Sequence, residues 1–306
     1  MKLFASKLFV VLALSLSSTF SLAQQNYVFK VLATGGKPEI KKANTWAPLR
    51  SGASLFDADE IRLGANTYVG LIHTSGRQKE LMKAGTFKVK DLASSLPKGT
   101  TVMLKYFEFM SSKNSDEAKQ NRLVAVGAVT RTSFKQDILV RLPENHHADM
   151  LGSRAVISWE SKTDSVGPFI VTVQNLSGDM LLSVETSTPV VSIDFNSPKL
   201  SGESYFLVDV KNKNNKSLSS DQYLIKRLQK EGQKKFNDEI KALTNELKES
   251  SAMQKIMLAA FYETNFLLID AIVAYEEAIK LAPEVSFYQE AYEEFLLRNR
   301  LKFQQE

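Results

Sequence analysis

The rhythm of hydrophobic and polar residues changes along the chain. From Tyr27 to about Leu92, short apolar-alternating runs (Tyr27–Leu32, Tyr68–His73, Thr86–Val89) lie between turn-forming groups: Gly35-Gly36-Lys37-Pro38, Ser51-Gly52, Gly64-Ala65-Asn66 and Ser75-Gly76-Arg77. Short strands between regular turns predict a small all-β domain over 24–96. Residues 97–150 predict a connector. In it Thr100–Met110, apolar and aromatic, predicts a helix over the β domain. Polar Ser111–Arg122 predicts a flexible loop, and Leu123–Thr132 a β segment. Alternation returns from Ala155. Val156–Trp159, Phe169–Val173, Met180–Val184, Val190–Phe195 and Tyr205–Val210 predict strands of a second β domain over 151–215. Ser177-Gly178-Asp179 predicts a hairpin turn, and Leu123–Leu142 is a source of further strands.

Lys211–Lys216 is polar and predicts a hinge, after which a helical period begins and a helical domain over 216–306 is expected. Ser219 or Ser220 is the expected N-cap. Leu224, Leu228, Phe236, Ile240, Leu243 and Leu247 then place apolar side chains on one face, with Gly232 as an expected weak point. Farther on, Ala252–Val285 resembles a tetratricopeptide repeat, which implies that small Ala259, Ala271 and Ala278 let two antiparallel helices approach closely, with Tyr262 and Tyr275 filling the gap between them. Pro283 ends the second helix, and Ser286–Leu301 predicts a terminal helix. The fold class expected is multi-domain α+β.

Three stretches resemble known families. Trp46-Ala-Pro48-Leu49-Arg50-Ser-Gly52-Ala-Ser-Leu55, Asp59-Glu60-Ile61-Arg62-Leu63-Gly64 and Tyr68-Val-Gly-Leu71 together resemble the FecR-type β domain, which implies an extracytoplasmic β module. Trp159, the strand–turn–strand after it and Gly202-x-x-Tyr205-x-Leu-Val208 are similar to immunoglobulin-like sandwiches, which implies that Trp159 packs between strands. Ala252–Val285 resembles one tetratricopeptide (TPR) repeat of about 34 residues, through Leu258, Ala259, Tyr262, Ala271, Tyr275, Ala278 and Pro283. Lys255 departs from that pattern at its tryptophan-like position. A register one repeat earlier puts Asn237, Lys241 and Thr244 where Ala271, Tyr275 and Ala278 stand, so the preceding unit is degenerate at best. One such repeat needs covering helices or a partner to bury its apolar face.

Composition adds an address. Lys2 and Lys7, the apolar run Phe9–Leu16 and the small-x-small site Ser21-Leu22-Ala23 predict a secretory leader over 1–23, cleaved after Ala23. Later residues contain no run long enough for a membrane span. The expected product is exported, periplasmic or at the cell surface, and not membrane-spanning. There are 0 cysteines, which excludes a disulfide-stapled module and a thiolate metal site. The formal charge of +5, or +3 once the two leader lysines are removed, is mild and interspersed, so nucleic acid is not an expected partner.

Chemistry is sparse. His73 sits in an apparent strand and reads as a satisfied residue. Glu144, His146, His147 and Asp149 cluster in a loop without metal-ligand spacing. Asp57, Asp59 and Glu60 fit turn chemistry better than a calcium loop. Glu276-Glu277 and Glu293-Glu294 read as outward, solvated helix faces. Lys226-Arg227, Lys230 and Lys234-Lys235 read as a solvated helix face with interleaved acids. No phosphate loop, nucleophile elbow or metal-binding helix motif occurs. The expectation is no catalytic, cofactor or metal residue, hence no enzyme and no cofactor. A non-catalytic binding or scaffold protein of a bacterial envelope is expected, with another envelope protein or an envelope polymer as partner. The alternative is a sensory component relaying an envelope signal through a membrane partner.

Overall fold

The computed structural model describes residues 26–42, 44–96, 103–115, 117–118, 120, 137–161, 167–244 and 251–302. The leader expectation and the strand expected over Leu123–Thr132 lie outside these residues. The described chain is α+β, its sheets mostly antiparallel and its helices mostly C-terminal.

The first β unit contains β1 (Phe29–Gly35), β2 (Glu39–Lys42), β3 (Thr45–Pro48), β4 (Ser54–Leu55), β5 (Glu60–Leu63), β6 (Tyr68–His73), β7 (Gln78–Leu81) and β8 (Gly85–Lys88). They form two four-stranded antiparallel sheets, ordered β4-β1-β6-β7 and β3-β2-β5-β8. Phe29, Val31, Ile40, Leu55, Ile61, Val69 and Leu71 share the core between them, closed by Val89 and Leu92 of the short helix α1 (Val89–Ser94). Gly36, Gly52, Asn66 and Gly76 take positive φ where the turns were expected. Trp46 stays half-exposed, with the Arg62 guanidinium 4.3 Å above its ring.

The second β unit stacks a five-stranded sheet, β10-β16-β15-β12-β13, on a three-stranded one, β14-β11-β9. Its strands are β9 (Ile138–Val140), β10 (Asp149–Met150), β11 (Arg154–Ser161), β12 (Phe169–Gln174), β13 (Met180–Thr186), β14 (Val190–Asp194), β15 (Tyr205–Asn212) and β16 (Tyr223–Arg227). Each of the five strand expectations falls on one of these. Ile157, Val171, Phe195, Phe206, Val208 and Ile225 fill the core, and Trp159 is buried edge-on to Phe169.

One expectation is corrected here. No helix starts at Ser219 or Ser220: residues 223–227 are β16, paired antiparallel with β15 (Phe206 opposite Ile225). Ser220 accepts from the Val210 N–H through its hydroxyl, at 2.9 Å, so it serves the sheet rather than a helix. Lys211–Lys216 is therefore no hinge between β and helical parts, but the start of the β15–β16 connection.

The helices are α2 (Met103–Lys113), α3 (Lys230–Thr244), α4 (Ala252–Thr264), α5 (Leu268–Leu281) and α6 (Ser286–Arg298). Gly232 lies in the first turn of α3 and does not interrupt it. Ser251 caps α4, accepting from the Gln254 N–H. α4 and α5 pack with Ala259, Ala271, Ala278 and Tyr275 fully buried. By contrast Asn237 and Lys241 of α3 are exposed. α2 is a second correction: it lies on α4 rather than over the β domain, with Tyr106 edge-on to Phe261 at 5.6 Å. Met103, Tyr106, Phe107 and Met110 repeat at helical spacing and all enter the helical core.

That helical core reaches both β units. β6 is apolar without alternation because both its faces are covered: Val69 and Leu71 face the β core, while Tyr68 and Ile72 join the helices. Gly70 permits the approach, since a β-carbon there would stand 3.1 Å from the Tyr68 hydroxyl and 3.3 Å from Met253 Sδ. On the other side Val156 of β11 enters the helical core and Ile269 of α5 enters the second β core.

Candidate functional site

Residues 151–153, the turn between β10 and β11, meet the α4–α5 hairpin, and a cleft of about 190 Å³ opens there. α4 is buried on almost every side. Its stripe Lys255, Leu258 and Tyr262 stays half-open, and α5 faces it with Asp270, Val273, Ala274 and Glu277. Gly152, Ser153 and Arg154 complete the wall. Leu258, Val273 and Ala274 give the cleft its apolar lining, and Arg154, Lys255, Asp270 and Glu277 its charged lining.

Asp270 is the anchor. It is only 5 % exposed, and its carboxylate accepts the Leu151 N–H at 2.8 Å and the Gly152 N–H at 2.7 Å. Burial pushes its pKa up to about 6 against the pull of those N–H donors, which favour the charged form. Gly152 leaves room for this contact: a β-carbon there would lie 2.9 Å from Asp270 Oδ1. At the other end, Glu277 accepts from the Lys255 ammonium at 2.6 Å and from the Arg154 guanidinium. The Tyr262 hydroxyl has no hydrogen-bond partner among the described residues. Burial first, then Asp270 and Glu277, holds its pKa above the ordinary tyrosine value.

Several sequence readings change at this site. Glu277 is no solvated outward residue but the shared acceptor of two cations from different elements. Tyr262 packs half-buried against the helical core and also lines the cleft. Lys255, the departure from the repeat pattern, supplies the ammonium. Asp270 was missed altogether, and its one signal is an acid inside the apolar stretch Phe266–Tyr275.

The remaining candidates stay apart from the cleft or satisfy themselves. His73 Nδ1 accepts the Ser75 N–H at 3.1 Å, and its ring meets Phe29 edge-on at 5.1 Å. Burial lowers its pKa. His147 stacks on Phe266 at 4.9 Å, its pKa lowered by burial and then by His146. His146 pairs with Glu144 at 3.5 Å. Asp59 accepts the Phe56 N–H at 2.8 Å, which is turn chemistry, whereas exposed Asp57 stands outside that bond. Glu60 pairs with Lys41 at 3.2 Å, and Asp149 with Lys226 at 3.2 Å. Lys226 and Arg227 belong to a strand, not to a solvated helix face; Arg227 donates to the Phe195 carbonyl at 2.7 Å. Glu276 is half-buried, and Glu293 pairs with Lys302. Among the described residues no group of three or more His, Cys, Asp or Glu is placed to hold a metal, and no helix is long and apolar enough to cross a membrane. No protein-family model and no curated protein matches this sequence.

Proposed function

We propose that this chain is an exported, non-catalytic binding or scaffold protein of a bacterial envelope, which holds another envelope protein or an envelope polymer. In this reading residues 24–96 are a FecR-like module, the second β unit is immunoglobulin-like, and α4–α5 is a tetratricopeptide-like hairpin. The single observation that carries it is the cleft on the α4–α5 hairpin, with apolar and charged lining and a wall contributed by the β10–β11 turn. Concave apolar sites with a few convergent polar groups, placed between packed units, are where ligands bind. The close contact at Ala259, Ala271 and Ala278 supports a rigid hairpin that presents the cleft in one shape.

The test is retention of envelope material by the purified full chain and by Leu258→Arg, which places a long cation in the apolar lining. Lys280→Ala on exposed α5 surface serves as control, and thermal melts verify folding. Retention lost with Leu258→Arg and kept with Lys280→Ala is the expected result. Equal retention by all three would remove the cleft from the function. N-terminal sequencing of the natural product tests export, with Gln24 the expected first residue.

A further inference from the structure

We propose that the cleft takes a carboxylate on a short apolar stem, with Tyr262, Lys255 and Arg154 as its donors and Leu258, Val273 and Ala274 beneath the stem. This deepens the binding reading above and rests on it.

The hydrogen-bond inventory of the cleft is one-sided. Each Asp270 oxygen already accepts a backbone N–H, from Gly152 at Oδ1 and from Leu151 at Oδ2. Each Glu277 oxygen already accepts a cation, Arg154 at Oε1 and Lys255 at Oε2. The donors are in surplus. The Tyr262 hydroxyl proton has no acceptor among the described residues, an ammonium carries three N–H groups, and a guanidinium five. A ligand that supplies acceptors therefore meets donors that are free, whereas a cationic ligand would share carboxylate oxygens that each already accept one donor.

Charge and size narrow the acceptor. Lys255 and Arg154 balance Glu277 and Asp270, so every ligand charge beyond that balance goes uncompensated, and a monoanion costs less than a dianion. A monoanionic carboxylate brings two oxygens and one charge, and its flat head fits between the hydroxyl and the cations. The volume of about 190 Å³ holds a head and a few methylene groups against the apolar lining. Two sources share this chemistry: a free short-chain organic acid and a glutamate side chain presented by a peptide.

The probes are butyrate, its neutral isostere butyramide, and N-acetyl-glutamate N-methylamide, titrated into the isotopically labelled full chain and followed by amide chemical shifts. Saturable shifts at Gly152 and Ser153 with butyrate and not with butyramide are expected. Tyr262→Phe removes one hydrogen bond to a charged acceptor and should weaken butyrate about tenfold. Glu277→Gln releases Lys255 and Arg154 from a competing carboxylate and should tighten it, a gain that a merely structural role for Glu277 would not produce. Tighter binding of the glutamate derivative than of butyrate supports the proposal and assigns the carboxylate to a peptide; the reverse order supports it and assigns a free acid. Equal shifts with butyramide, or none with either carboxylate in folded protein, would overturn it. If that happens while envelope retention remains sensitive to Leu258→Arg, the cleft still binds and only its ligand is wrong. If retention fails as well, both readings fall.

Discussion

Gly152 and Asp270 are two halves of one contact, and each predicts a measurable effect. Gly152→Ala forces a β-carbon to within 2.9 Å of Asp270 Oδ1, so the carboxylate must leave its bonds to the Leu151 and Gly152 N–H groups, or the turn or α5 must shift. A loss of about 1–3 kcal/mol in urea unfolding is expected, the range for overpacking. Asp270 gives a pH signature. Its native pKa of about 6 lies above the usual carboxylate value near 4, so the folded chain binds its proton more tightly than the unfolded chain. The Asp270 contribution to stability therefore falls as pH rises from about 4 to about 6, and is level above that. Asp270→Asn should remove this slope, read as the difference between parent and variant unfolding free energies across that window. The same logic of close approach applies at Ala271, which is fully buried between α4 and α5. Ala271→Leu should cost roughly 1–3 kcal/mol, against no more than about 0.5 kcal/mol for exposed Lys280→Ala.

At the scale of elements, what the sequence discloses depends on how long a pattern runs. The α4–α5 hairpin was legible because its small and aromatic residues recur over two full helices. In the first β unit β1, β6 and β8 were legible from their apolar runs, because glycine and asparagine mark the turns between them. Residues 223–227 were misread because five residues are too few to separate a period of two from one of 3.6. The spacing of Leu224 and Leu228 suits a helix, yet β15 offers an open edge, and pairing with it buries Ile225. Ile225→Ala should accordingly destabilise the chain by about 2–5 kcal/mol, as for a core position. Cleavage in the exposed turn 213–217 should leave two fragments that remain associated, because β15 and β16 stay paired; separation on size-exclusion chromatography would contradict that pairing. The cleft was the least legible feature. It is built by residues more than a hundred positions apart, so neither Arg154 nor Glu277 carries a local sign of its partner.

For the whole molecule, the helices join the two β units instead of trailing behind them. Tyr288 of α6 and Tyr68 of β6 bring their hydroxyls within 2.7 Å, and Tyr68 is 2.9 Å from a Glu80 carboxylate oxygen. An ionised carboxylate only accepts, so Tyr68 donates to Glu80 and Tyr288 donates to Tyr68. At the far end of the helical layer, Arg298 of α6 pairs at 3.1 Å with buried Glu263 of α4, and its guanidinium also donates to the Lys113 carbonyl that ends α2. Val156 and Ile269 exchange places between the helical core and the second β core. Shared cores of this kind predict that the parts unfold together, which the polar stretch at Lys211–Lys216 did not suggest.

The two tryptophans, Trp46 in the first β unit and Trp159 in the second, allow that claim to be measured directly. Single-tryptophan chains, Trp46→Phe and Trp159→Phe, would be unfolded in urea and followed by fluorescence and by helical circular dichroism. In each chain the fluorescence and helical transitions should coincide, which is the signature of one cooperative unit. A chain in which the tryptophan signal is lost at one urea concentration and the helical signal at a clearly different one would contradict the account, because the helical layer would then not be the joint between the β units.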